Sequence, residues 1–153
     1  MFGGYIWKEN EKMTKEIREH KTDRALLFAL TVILTVLSLT IMLNPRTSKG
    51  MLAGASTCIF FSINYAYCIH KEQAESNPNR RSEKSMNMVR LYAILGALHA
   101  LAALAVVIFY LVDLPMVSAF IGVAVSVFWT FISLMGYRKE DIKVRMLEEE
   151  LKR

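Results

Sequence analysis

Residues 96–104, GALHALAAL, set one imidazole among small and apolar side chains inside the uncharged run 91–112. Histidine exchanges a proton near neutral pH, so His99 is a candidate for proton transfer, gating or binding of a polar solute. Each of those tasks needs company. No Asp, Glu, Lys or Arg occurs in the runs 25–43, 50–69, 91–112 and 114–137, which removes the acidic partner of a proton relay. A single histidine is not a metal site either. The expected role is structural: an interhelical hydrogen bond in which Asn64, a tyrosine hydroxyl or a serine satisfies the ring. A part in transport or gating is the alternative.

The remaining reactive residues point the same way. Cys58 and Cys68 are separated by about 15 Å along a helix and roughly 80° around it, too far to bridge. No Gly-rich phosphate loop, GxSxG, HExxH or CxxC pattern occurs, and no two carboxylates share an uncharged run, so intramembrane acid–base chemistry lacks its parts. A non-enzymatic protein with no cofactor is expected.

The elements that must position these residues follow from the uncharged runs themselves. The chain has 153 residues, 54% hydrophobic and 22% charged, with a mean hydropathy of +0.29. That excess of apolar residues points to lipid. About 18 apolar helical residues at 1.5 Å each cross roughly 30 Å of hydrocarbon, and the four runs at 25–43, 50–69, 91–112 and 114–137 qualify. A soluble four-helix bundle would place polar residues on about half of each helix surface, whereas here the charges lie outside the runs. The expected fold is all-α, an integral membrane four-helix bundle of two transmembrane hairpins, turning at Pro45 and Pro115.

All the basic residues except Arg46 and Lys49 fall in the N-terminal segment 1–24, the loop 71–90 or the tail 138–153. By the positive-inside rule both termini and the middle loop face the cytoplasm of a multi-pass cell-membrane protein. The net charge of +5 is accounted for by that topology and by attraction to anionic lipid. Basic residues interleaved with acids, with no aromatic platform, exclude a nucleic-acid footprint.

At 100° per residue each span is two-faced. Tyr92, Gly96, His99, Ala103 and Tyr110 share a strip on the third span. Gly50, Gly54, Thr57, Cys58, Asn64, Tyr65 and Cys68 gather on the second, with Phe61 intruding. The first carries Thr31, Thr35, Ser38 and Met42, and the fourth Ser118, Gly122, Ser126, Trp129, Ser133 and Gly136. Because lipid offers no hydrogen bonds, these faces turn inward. The residues expected to face the interior are thus His99, Asn64, Tyr65, Tyr92, Gly96, Thr31, Thr35, Ser126 and Trp129. Gly50 and Gly54 form a GxxxG pair near the end of their span, where such a pair carries little weight.

Both ends add short amphipathic cytoplasmic helices, one over 9–23 and one continuing the fourth span over 138–153. In the tail, Asp141 with Arg145, Glu148 with Lys152 and Glu149 with Arg153 stand at the favourable i, i+4 spacing. Val144, Leu147 and Leu151 form a narrow seam fit for another copy, the N-terminal helix or a partner. Phe2, Tyr5, Ile6 and Trp7 suit the headgroup region, residues 73–85 read as a flexible loop, and Asp113 before Leu114-Pro115 reads as the cap of the fourth helix.

In size and four-span layout the chain resembles the small multidrug exporters, but that family has a glutamate in its first span and residues 25–43 hold none. In its small size, multiple spans and charged tail it resembles phage holins, with no shared motif. Two functions are consistent with these features. One is an interaction or accessory subunit that packs with itself or with a larger membrane complex. The other is a channel, transporter or holin-like pore, formed by oligomerisation, with His99 on its inner face.

Overall fold

The computed structural model describes residues 3–75 and 83–152, with side chains for 10–74 and 85–152. Four helices make up the described residues, with no strand among them: α1 (Gly3–Leu43), α2 (Ser48–Glu75), α3 (Glu83–Leu111) and α4 (Pro115–Leu151). All four are long and apolar enough to cross a membrane.

The N-terminal charged segment and the first apolar run form one helix, because no glycine or proline interrupts residues 5–43. The charged and apolar segments are thus parts of one 41-residue helix. α4 likewise runs unbroken from Pro115 into the charged tail. The aromatic cluster expected at Phe2 to Trp7 and the centre of the 73–85 loop lie outside the described side chains.

The turns show why the helices stop where they do. Beyond α1, the Asn44 amide bonds the Thr40 carbonyl, its side-chain Nδ2 donates to the same oxygen at 3.1 Å, and Pro45 ends the ladder. Thr47 caps α2: its hydroxyl accepts the Gly50 N–H, and the Met51 N–H donates to the Thr47 carbonyl. A Cβ at Gly50 would overlap the Asn44 carbonyl oxygen, so glycine is what allows this hairpin to close.

The second turn corrects the expectation for Asp113. α4 starts at Pro115 with Leu114 in the capping position, its carbonyl accepting from Val117 and Ser118. Asp113 instead ends α3. It sits at φ 62°, in the left-handed region. The Leu114 N–H reaches back to the Phe109 carbonyl at 2.8 Å and the Asp113 N–H to the Tyr110 carbonyl at 3.3 Å. That pair of bonds is the Schellman closure, with Asp113 where glycine is usual.

The chain forms two compact units. The four-helix unit, Thr35–Val127, takes the end of α1, all of α2 and α3, and the start of α4. α2 and α3 run antiparallel, with Ser62 bonded to the Gly96 carbonyl and Ser85 to Glu72. Within it α2 and α4 touch backbone to backbone. A Cβ on Gly122 would lie 3.0 Å from the Gly54 Cα and 3.3 Å from Ile41 Cδ1, and one on Gly54 would lie 3.5 Å from Val106 Cγ1. All four helices therefore contribute to one layer, with Ile41 and Val106 buried beside the glycine contact. Gly54 does more than its place near the end of its span suggested.

The α1/α4 unit, Met1–Leu34 with Phe128–Arg153, is an antiparallel helix pair. Thr31 lies opposite Ser133 at 3.0 Å, and Arg24 opposite Asp141 at 2.7 Å. Leu27 packs where Gly136 leaves room, and Phe28 meets Tyr137 with ring centroids 5.8 Å apart. Ile17 and Val144 are buried. The tail seam is thus turned, through Val144, into a pair formed with the N-terminal helix, while Leu147 is half-buried and Leu151 exposed.

Candidate functional site

His99 faces protein in the four-helix unit. Its ring centroid lies 5.4 Å from that of Tyr65 and 6.0 Å from that of Phe61, and Tyr65 lies 6.2 Å from Tyr92. These side chains bring α2 and α3 together as an aromatic cluster. Gly96 makes it possible, since a Cβ there would sit 3.2 Å from the Tyr65 Cβ.

The imidazole is held at Nδ1, 2.7 Å from the Leu95 carbonyl oxygen one turn earlier on its own helix. A carbonyl can only accept, so Nδ1 is the donor in this bond. One anchor of the ring is therefore the backbone of its own helix. Chemically the cluster offers an imidazole bonded to its own helix through Nδ1 and flanked by aromatic faces.

The other expected inward residues divide. Tyr65 and Ser126 are buried, and Tyr92, Gly96, Thr31 and Trp129 are half-buried. Thr31 donates to Ser133, Ser126 to Thr57 at 3.5 Å, and Trp129 meets Phe128 edge to face at 5.7 Å. Asn64 and Thr35 are exposed, which corrects their placement. The buried strip of α2 runs through Thr57, Cys58, Phe61 and Tyr65, leaving Asn64 about 80° off its centre. Phe61, which looked like an intruder among small residues, lies on that strip and is 1% exposed. On α1 the buried strip is Leu34, Ser38 and Ile41, rotated by about 60° from the Thr31, Thr35, Ser38, Met42 strip. Volume, as much as polarity, decides what turns inward.

A second cluster lies in the α1/α4 unit, and sequence reasoning missed it. His20 Nδ1 approaches Glu140 Oε2 at 2.5 Å, Lys143 Nζ lies 3.3 Å from Glu140 Oε1, Lys21 pairs with Glu148 at 2.6 Å, and Asp141 takes both Arg24 and Arg145. Of the tail pairs expected within α4, Asp141 with Arg145 forms at 3.0 Å, Glu148 turns to α1, and Glu149 with Arg153 falls partly outside the described residues. Asp23 joins His20 and Glu140 in a group whose donor atoms all lie within 4.8 Å of one another.

The electrostatics follow from these partners. Burial pushes the Glu140 carboxyl up, but the hydrogen bonds from His20 and Lys143 outweigh it and hold the group below its ordinary 4.5. Glu148 is also lowered, chiefly by the hydrogen bond from Lys21 and then by its charge. A readable signal did exist: His20, Lys21 and Arg24 share a face of α1 at i, i+1 and i+4, and acids recur at 140, 141 and 148. It needed the antiparallel pairing of two helices separated by most of the chain.

No protein-family model, no curated protein and no solved structure matches this chain.

Proposed function

We propose that this protein is a multi-pass cell-membrane protein, both termini cytoplasmic, that works without catalysis as an interaction or accessory subunit, packing with itself or with a larger membrane complex. The observation that carries this reading is how the interior polar groups are used. Thr57 with Ser126, Ser118 with the Val106 carbonyl and Ser62 with the Gly96 carbonyl link helix to helix. Among the described residues no buried side-chain nitrogen or oxygen lacks a hydrogen-bond partner. A conduit for a polar solute needs interior groups ready to replace its hydration, and here those groups hold helices together. The Gly54–Gly122 contact also leaves no room at that level of the four-helix unit.

The outer surface supports the same reading. Leu43, Leu52, Ile63, Leu101 and Phe120 are each 60% exposed or more, a surface suited to acyl chains or to another membrane helix. The placement of basic residues supports the orientation. The deciding experiment pairs oligomeric state in nanodiscs with ion flux in liposomes. Defined complexes with no flux above empty vesicles are expected. Flux that requires a ring of several copies and disappears in His99→Leu would replace this reading with the pore.

A further inference from the structure

We propose that His20, Asp23 and Glu140 form a binding site for a divalent transition-metal cation, with zinc as the best match, that ties α1 to α4 within the α1/α4 unit. The inference rests on these side chains alone and is independent of the subunit reading above.

Three observations carry it. First, the donors come from two helices in a suitable register. His20 and Asp23 stand at i, i+3, one above the other on α1, and Glu140 faces them from α4. Their ligand atoms lie within 4.8 Å of one another. A tetrahedral ion with bonds of about 2.1 Å needs donors about 3.4 Å apart. The proposed site would close that difference by rotating these three side chains. Second, one imidazole nitrogen with two carboxylates is a mixed set that favours zinc and its neighbours in the first transition row over calcium or magnesium, which take oxygen alone. Asp23 is exposed, so a fourth position is open to water.

Third, the local charge is unbalanced. Arg24 is taken by Asp141 and Lys21 by Glu148. Asp23 has no ion-pair or hydrogen-bond partner among the described residues, and Glu140 shares its two oxygens between His20 and Lys143. A divalent ion would balance the two carboxylates, displacing the proton between His20 and Glu140 and leaving Lys143, 38% exposed, to swing into solvent.

The test uses the full chain in detergent micelles without a histidine tag, titrated with zinc in equilibrium dialysis, with cobalt absorption reporting coordination geometry. The expected result is one zinc per chain and a tetrahedral cobalt spectrum, with affinity lowered at least about tenfold in His20→Gln and in Glu140→Gln. Those two substitutions also break an ion pair and can disturb the helix pair, so Asp23→Asn is the decisive variant. Its side chain makes no hydrogen bond or ion pair among the described residues, and a cluster that is only an ion-pair network would not respond to it. Lys143→Ala, which removes the competing ammonium, is expected to raise the affinity. Unchanged affinity in Asp23→Asn, binding that survives His20→Gln, or no stoichiometric zinc uptake by the wild-type chain would each overturn the proposal.

Discussion

The two units hold their helices by different means. In the four-helix unit, cohesion comes from close approach: two glycines in backbone contact, Ile41 and Val106 fitted beside them, and hydroxyls bonded to neighbouring helices. In the α1/α4 unit one glycine accommodates a leucine, and beyond Leu27 the register is set by charges, Arg24 on Asp141, His20 on Glu140 and Lys21 on Glu148. The division follows the solvent each segment is built for. Lipid is as apolar as leucine, so apolar faces give no driving force within it and packing with hydrogen bonds must serve. Ion pairs serve where water can reach, each contributing little and doing so in a salt-dependent way.

The sharpest way to break this comparison is to add a side chain to each unit's glycine contact. Gly122→Val would set its Cβ 3.0 Å from the Gly54 Cα, backbone that cannot move without parting helices, and an expected loss of about 3 kcal/mol follows from forced overpacking. Gly136→Ala places its Cβ 3.3 Å from Leu27 Cδ1, the far end of a flexible side chain, and should cost less than about 1 kcal/mol. Reversible unfolding in mixed micelles measures both. Equal losses would show that the two units pack alike.

A middle-sized test removes one hydrogen bond. Ser118 donates to the Val106 carbonyl at 2.7 Å with its side chain buried, so Ser118→Ala should lower stability by about 0.6 to 1 kcal/mol. The loss should be the same at low and high salt, since no charge is involved. A salt-dependent loss would tie this bond to the ion-pair network and contradict the division.

Much of the architecture was legible because it depends on local facts. Charge-free runs marked the four apolar segments, Pro45 and Pro115 marked the turns, and the polar strip placed His99 toward protein. What escaped was decided by partners far away in sequence. Phe61 looked out of place among small residues, yet it is buried, with its ring 6.0 Å from that of His99 on α3. Asp113 resembled a helix start because the dipeptide Leu114-Pro115 follows it, and only the backbone bonds to Phe109 and Tyr110 reveal a helix end. His20, Asp23 and Glu140 were unreadable as a group because helical periodicity relates residues within a helix, and their meeting needs the register between two.

The charged register has its own pH signature. Glu140 and Glu148 titrate below their ordinary 4.5 in the folded chain, so their ionised forms favour the folded state. That contribution is complete above pH 4.5 and is lost as pH falls through the lowered folded values. Amide protection over 10–24 and 138–151, relative to the unfolded chain at the same pH, should therefore fall on acidification below pH 4.5, while that of the Gly54 and Gly122 segments holds. Glu148, exposed and screened, should contribute less than Glu140. If Glu140→Gln left the acid sensitivity of these amides intact, the charges would not be what sets the register.

The smallest expected effect is a gain, and it probes a turn rather than either packing mode. Asp113 occupies the left-handed region at φ 62°, where a Cβ is crowded and glycine is not. Aspartate tolerates this conformation better than most residues, so the relief in Asp113→Gly is small. The added freedom of glycine in the unfolded chain offsets part of it. A net stabilisation of about 0.5 kcal/mol is expected, read as a raised unfolding midpoint in the same micelles used for Gly122→Val. Had Asp113 been an N-cap, the same substitution would cost a few tenths of a kcal/mol. The sign of the shift alone therefore distinguishes a residue that ends α3 from one that begins α4.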